Sequence, residues 1–483
     1  MGFSRRGLKG TDLRFFTKEE VELVHKYSLQ LLKEVGIQIH NEEILDLLKN
    51  VGCKVDFSTR IAQISAEIVE NGIVKSPERV MLCGRNKEHD IQLGDGTLYA
   101  RTNSGAPYII DMDTREQRKA TQIDLAQSVR LADALPNIHG VSIIHMVPMD
   151  VPVELIDLHS AYTSLCNTEK HLFYVCHNEE FLESVIEMAA LVVGGEDALK
   201  ERPLISGFCE ATSPMQLDQA QMKLLLNYAK RGLPVYTHSH PMAGLSAPVT
   251  LAGEVVQMNA ETLAVIAISQ LINPGTPIIY GTSASVPNMK TGSNLSGAVE
   301  IGLLGSALAQ MAKKYKLPCD MTCGTDSKTA DAQASIEKIF TSLPSILSGI
   351  DLLDISTTDT KLTFSLEQLV IDNEIISWIA RLLKGIKVDE EHLAIELIRK
   401  VSHSNESFIT QNHTVKHFRE ELMDSELMHR KSWGEWVTDG KESLQQRAYK
   451  KVKMILENHQ PVQLDEEVQK SMKKIIQRAK LKV

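Results

Sequence analysis

The sequence predicts an α/β protein: a (β/α)8 TIM barrel with an N-terminal α/β extension and a C-terminal helical tail. Three observations carry this. From residue 98 to residue 383, eight short strand-like runs alternate with eight longer helical patterns, a span of about 280 residues that suits such a barrel. Each run is apolar on both faces, as parallel strands covered on both sides are. No GxGxxG follows the first run, so the competing arrangement, an open doubly wound sheet, lacks its usual nucleotide loop.

The elements follow in order. Residues 1–95 are the extension, read as an addition to the barrel and not a separate functional domain. It holds amphipathic helices at 17–35 and 41–50, the first opened by a Thr17/Glu20 capping box and the two closed by Gly36 and Gly52. Strand-like pieces at 54–57 and 80–83 flank a further helix at 66–74. The barrel takes 96–385, with strands at 98–102, 141–146, 171–176, 204–208, 235–238, 278–281, 319–322 and 352–355. Its helices fall at 123–134, 154–168, 179–193, 216–230, 254–272, 297–315, 332–347 and 366–383. The connection after the sixth strand, 281–294, is too long for an ordinary link and reads as a functional loop. The tail, 386–483, is helical and charged, with apolar spacing at 393–401 and 449–456, and is expected to pack on the barrel or on a second subunit of a homo-oligomer.

Composition narrows the function. Hydrophobic residues make up 43% and charged residues 24%, an ordinary globular balance. A net charge of -10 with no concentrated basic face argues against nucleic acid. Seven cysteines without framework spacing suit a reducing cytoplasm. The first residues have no apolar core of a signal peptide, and the longest apolar stretch, 263–272, is broken by Ser269 and Gln270, so no membrane is expected.

Catalytic groups of a TIM barrel sit at the carboxyl ends of its strands. Those ends supply Asn103, His145, His177, Glu210, His238, His240, Tyr280 to Ser283, Cys323 to Lys328, Ser356 and Thr357. The set is polar but sparsely charged, and it lacks both a repeated HxH with a distant Asp and a glycine-rich phosphate cradle. Glu210, ahead of a helix expected to be capped by Ser213 with Pro214 in its first turn, is a carboxylate for a cation or a solvated loop acid. Asp326 and Lys328 bind a polar substrate group or pair to orient their loop. Tyr108, Tyr162, Phe208, Tyr236 and Tyr280 offer aromatic faces to a cation, or serve the core. His238 and His240 with Cys176, Cys209, Cys319 or Cys323 make a zinc site conceivable, although buried thiols are more often packing. No metal is therefore assigned.

Several blocks in order carry a resemblance from about residue 97 to the end: GAPYIIDMDTREQRKAT, DLAQSVRLADALPNI, LINPGTPIIYG, MKTGSNLSGAVEIGLLGSALAQMAKKYKLPCD, TDSKTADAQASIEKI, SLEQLVIDNEIISWIARLLKGIKVDEEHLAIELI, ESFITQNHTVKHFREEL and GKESLQQRAYKKVKMILENH. The chain resembles the trimethylamine methyltransferase (MttB) family, whose members move a methyl group from an amine to a corrinoid protein. The family's trimethylamine enzymes carry pyrrolysine, whereas this sequence holds only the twenty standard residues. It is similar to the non-pyrrolysine branch, which implies demethylation of a quaternary amine such as glycine betaine, proline betaine or carnitine. No DxHxxG cobalamin signature is present, so the resemblance implies a corrinoid supplied by a partner protein and none bound tightly here. For a betaine carboxylate, His238, His240, Asn178, Ser283, Thr325 and Lys328 are candidate donors, and His413 and His417 lie in a family block. The expected substrate-binding set is Tyr108, His145, Glu210, His238, His240, Tyr280, Ser283, Asp326 and Lys328. The alternatives are a zinc-dependent barrel methyltransferase or hydrolase and a betaine-binding protein without chemistry.

Overall fold

The computed structural model describes residues 8–9 and 13–482. Eight parallel strands form the barrel: Thr97–Thr102, Gly140–Ser142, His171–Tyr174, Ile205–Ala211, Val235–Ser239, Ile278–Thr282, Cys319–Thr322 and Leu352–Ile355. They pair in chain order, and the eighth returns to the first, with Leu352 opposite Tyr99 and Ile355 opposite Thr102. The helices that follow them are Gln122–Ala134, Ile156–Asn167, Leu182–Val193, Gln219–Arg231, Leu251–Ile272, Val299–Tyr315, Ala332–Leu347 and Leu366–Lys384. Every predicted barrel element is present, in order, with ends shifted by a few residues.

The fourth helix shows why an end shifts. It starts at Gln219, capped by Asp218, and Ser213 is not its cap. Gln216–Leu217 is drawn into a small sheet beside Ile37–Ile39 of the extension, so the helix begins later. The Ser213 hydroxyl instead donates to Glu261 Oε2 at 2.7 Å. Across the sheet junction the extension is tied directly to a loop at the barrel mouth.

Leu251–Ile272 is longer than the apolar run read from sequence. Its 22 residues are apolar enough by length and composition to cross a membrane, yet 83% of its most apolar stretch is buried in the fold. A helix apolar all round must be covered all round. The barrel covers one side, and Lys18–Glu34 and Ala66–Lys75 cover the other.

The two ends of the barrel differ. Strands Val80–Leu82 and Ile91–Leu93 form an antiparallel pair whose Val80, Leu82, Ile91 and Leu93 cluster with the inward Tyr99, Phe173, Phe208, Tyr236, Ile279 and Leu352. That apolar plug fills the amino-terminal end. At the carboxyl end, Tyr108–Ile110, Gln117–Lys119, Thr357–Thr358 and Thr363–Phe364 make a four-stranded sheet that sequence did not reveal. The long loop after the sixth strand is ordered as the pair Val286–Pro287 and Asn294–Leu295. In the tail, Leu444–Asn458 packs on Leu366–Lys384 and Gln122–Ala134, and Glu466–Lys480 packs on Leu182–Val193 and Ile156–Asn167.

Candidate active site at the barrel mouth

Alternate residues of a strand face the axis of a barrel. The inner positions are not uniformly apolar, contrary to the expectation from the strand pattern. Arg101 of the first strand, Glu210 of the fourth, His238 of the fifth, Asp320 of the seventh and Asp354 of the eighth all sit on this face. Such groups are rarely buried unless paired, and four of them are paired in one chain.

The Arg101 guanidinium lies between the Phe173 and Tyr236 rings, its Cζ 5.1 Å from each centroid. Nη2 donates to Asp320 Oδ2 at 2.7 Å and stands 3.7 Å from Asp354 Oδ2. The same Asp320 oxygen lies 2.9 Å from His238 Nε2, and His238 Nδ1 lies 2.7 Å from Ser283 Oγ. An ionised carboxylate only accepts, so with a neutral imidazole Nε2 carries the proton and Ser283 donates to Nδ1. Arg101, His238, Ser283 and Asp320 are all buried. Burial opposes the charge on Asp320, but Arg101 and His238 outweigh it and hold its pKa below the usual carboxylate range. Asp354 moves the other way, because burial dominates over the cations near it.

Gly281 explains how the imidazole fits. It is the inward residue of the sixth strand, and a methyl group there would fall well inside van der Waals contact of the His238 ring, with the backbone oxygen of Asp320 only 3.0 Å off. Gly281→Ala is therefore expected to displace His238 from Asp320, costing about 1–3 kcal/mol of stability. Thermal unfolding of the variant, together with the His238 ring resonances by NMR, checks this; an unmoved imidazole contradicts it.

Above this layer Glu210 and His240 face each other, with Nδ1 3.4 Å from Oε1 and both side chains about one-third exposed. They line a cleft of about 260 Å³ with Thr212, Ser213, Asp218 and Gln221. Burial pushes the Glu210 pKa up. The hydrogen bond from His240 and the charges of His240, His238 and Lys361 more than offset it, leaving the pKa below the ordinary glutamate value. Glu210 is thus an anion at neutral pH. A larger cleft of about 490 Å³, lined by Phe16, Val21 and Lys314 among others, lies toward the amino-terminal ends of the strands and holds none of these groups.

The other expected site residues are distributed differently. His145 is fully buried: its Nε2 meets Ser128 Oγ at 2.5 Å and its ring stacks on Phe364, and burial lowers its pKa to about 3. Tyr280 points outward from the strand, donating to Asn259 Oδ1 at 2.8 Å under the helix layer. Neither is among the groups gathered at the mouth. Tyr108 lies in the covering sheet, half exposed. Asp326 receives the backbone N–H groups of Ser296 and Gly297 and the Thr360 hydroxyl, and so joins three loops. Lys328 Nζ donates to the Asp326 carbonyl at 3.0 Å and pairs with Asp359 at 2.5 Å. Thr325 donates to Glu337, and Asn178 to the Glu154 carbonyl. His413 and His417 pack ring against tilted ring, and His417 does the same with His392, within the tail.

The thiols are buried and resist ionisation: burial raises Cys176 and Cys323 to about 12 and pushes Cys209 and Cys319 up as well. His238 has both ring nitrogens engaged. Among the described residues no group of three or more His, Cys, Asp or Glu has a geometry that could hold a metal.

Sequence reasoning missed Arg101, Asp320 and Asp354, although a signal was present: an ionisable residue inside LYART, CDMT and LLDI, each a run with both faces buried. It also passed over Lys361, for which no local signal existed.

Comparison with known proteins agrees with this architecture and extends it. The solved hydroxylamine complex of MtmB overlays with a TM-score of 0.50 at 11% identity, covering 94% of this chain and 95% of that one; at such identity the likeness concerns the fold. A trimethylamine methyltransferase MttB of Desulfitobacterium hafniense is 34% identical over 97% of this chain and 95% of its own length. A glycine betaine methyltransferase of the same species is 32% identical over 95% of this chain and 96% of its own. The trimethylamine methyltransferase (MTTB) family profile matches residues 6–483. The chain is a methyltransferase barrel, and it belongs to the trimethylamine methyltransferase family.

Proposed function

We propose that the protein transfers a methyl group from a quaternary amine, with glycine betaine, proline betaine and carnitine as candidate donors, to the Co(I) of a separate corrinoid protein. The observation that carries this reading is Glu210, a carboxylate held ionised in a cleft at the open end of the barrel. Similarity to a glycine betaine methyltransferase along nearly the whole chain supports it.

The chemistry asks little of the protein in proton transfer. The C–N bond breaks with its electron pair going to nitrogen, which leaves as a neutral tertiary amine, while the methyl carbon accepts a pair from Co(I). No general acid is needed. The remaining tasks are to hold the cation, aim one methyl group outward and exclude water. Glu210 attracts the ammonium. The buried Arg101–Asp320–His238–Ser283 chain is linked member to member by hydrogen bonds, so it serves as a fixed polar floor. The partner's corrinoid docks over the carboxyl end, since the apolar plug fills the other.

The test is conversion of cob(I)alamin to methylcobalamin, followed by absorbance, with glycine betaine, proline betaine, carnitine, γ-butyrobetaine, choline and trimethylamine. Turnover is expected with a quaternary amine and not with trimethylamine. No turnover with any of them, repeated with a cognate corrinoid protein, would defeat the reading.

A further inference from the structure

The loop after the eighth strand carries the most strained backbone at the barrel mouth. Ser356 has φ 99°, and Asp359, Thr360 and Lys361 follow at 52°, 55° and 71°, three consecutive non-glycine residues in the left-handed region. Residues with a Cβ adopt that region only when their surroundings hold them there, and a β-branched threonine is especially ill suited to it. The surroundings enforce the turn. Asp372, buried and paired with Lys338, accepts the Ser356 N–H at 2.8 Å. The N–H groups of Asp359 and Thr360 donate to the carbonyls of Ser327 and Thr325 at 2.7 and 2.9 Å. The Thr360 hydroxyl donates to Asp326, and Thr363 and Lys328 both hold the Asp359 carboxylate. Asp326 and Lys328 thus shape this turn.

The turn delivers Lys361. Its charge acts on Glu210 of the fourth strand and on Asp354 of the eighth, and in a closed ring of eight these strands stand opposite each other. Lys361, on the turn after the eighth strand, is thus near enough for its charge to be felt on both sides of the mouth. It is half buried, and among the described residues no carboxylate lies within ion-pairing distance of it. A cation partly stripped of water without a contact partner is unfavourable, and strain spent on holding it there calls for an anion that is brought in.

We propose that Lys361 binds the carboxylate of a zwitterionic substrate whose ammonium end is turned to Glu210. The inference rests on the methyl-transfer reading above and deepens it. Two opposite charges near one another across the mouth match a molecule whose own charges are separated by a short carbon chain. Choline, tetramethylammonium and trimethylamine lack the anionic end and satisfy only Glu210. Lys361 on this account sets which quaternary amine is accepted, without taking part in the transfer.

The experiment compares wild type, Lys361→Met and Lys361→Arg with glycine betaine and with tetramethylammonium, by calorimetric binding and by cob(I)alamin methylation, after unfolding midpoints show the variants folded. A charged hydrogen bond of this kind corresponds to roughly a thirtyfold loss. The Met variant is expected to bind glycine betaine about thirtyfold more weakly with tetramethylammonium changed less than threefold, and Arg to restore most of the difference. Equal effects on the two ligands, or none on glycine betaine, would overturn the role of Lys361. So would a wild type that binds tetramethylammonium as tightly as glycine betaine, and all three results leave methyl transfer standing. A wild type that binds neither ligand and turns over none of the six amines named above removes the methyl-transfer reading and this inference with it.

Discussion

Glu210→Gln is expected to lower kcat/KM for the quaternary amine about thirtyfold, with the unfolding midpoint nearly unchanged. Glutamine keeps the shape, and the side chain is about one-third exposed, so the fold has little stake in its charge. What disappears is the attraction between a carboxylate and a cationic substrate, worth roughly 2 kcal/mol where water is partly excluded. The pH dependence gives a second check. The Glu210 pKa is depressed, so the ionised form persists as pH falls through the ordinary glutamate range near ~4.3. The wild-type kcat/KM should stay level from neutral pH down through that range and drop only below it, while the Gln variant shows no such limb. A variant as active as wild type would remove Glu210 from the site.

Asp320→Ala is expected to be the most damaging single change in the barrel, costing about 3–5 kcal/mol. The Arg101 cation is buried, and without Asp320 its nearest carboxylate is Asp354 at 3.7 Å. His238 loses its Nε2 acceptor at the same time. The damage is an uncompensated charge, so removing Arg101 as well should help: R101M/D320L is expected to regain part of the loss, a nonadditivity that urea unfolding reads directly. Linkage fixes the pH sign. The folded pKa of Asp320 is depressed, so its contribution is complete above the unfolded value of ~3.9 and is lost as pH falls through the folded one. The gap between wild type and Asp320→Ala should therefore be constant at neutral pH and narrow in acid. An additive double variant would show that Arg101 and Asp320 are not coupled.

Much of the barrel was legible because its cause is local. Runs such as Val235 to His238 and Ile278 to Gly281 are β-branched and aromatic, and Ala332–Leu347 appears at its predicted bounds. Ends moved where a distant segment intervened, as when Ile37–Ile39 drew Gln216–Leu217 into a sheet and delayed the fourth helix. Among site candidates, Glu210, His238, His240 and Ser283 meet at the mouth because strand ends can be counted from sequence. His145 and Tyr280 end elsewhere because the count does not say which face of the strand a residue takes; a shift of one position turns a side chain from axis to helix layer.

The sequence by itself determined the alternation of strands and helices, and hence the fold class, because hydrophobic period and β-branched composition act over a few residues. It also determined the family, through blocks whose order survives in the chain. Only the tertiary structure decided that Arg101, Asp320 and His238 form one chain, since they come from the first, seventh and fifth strands and meet only when the eighth strand closes on the first. It alone decided the position of Lys361 as well. A left-handed run of Asp, Thr and Lys has no support in local propensity, and it is held by hydrogen bonds from loops more than thirty residues away in the chain.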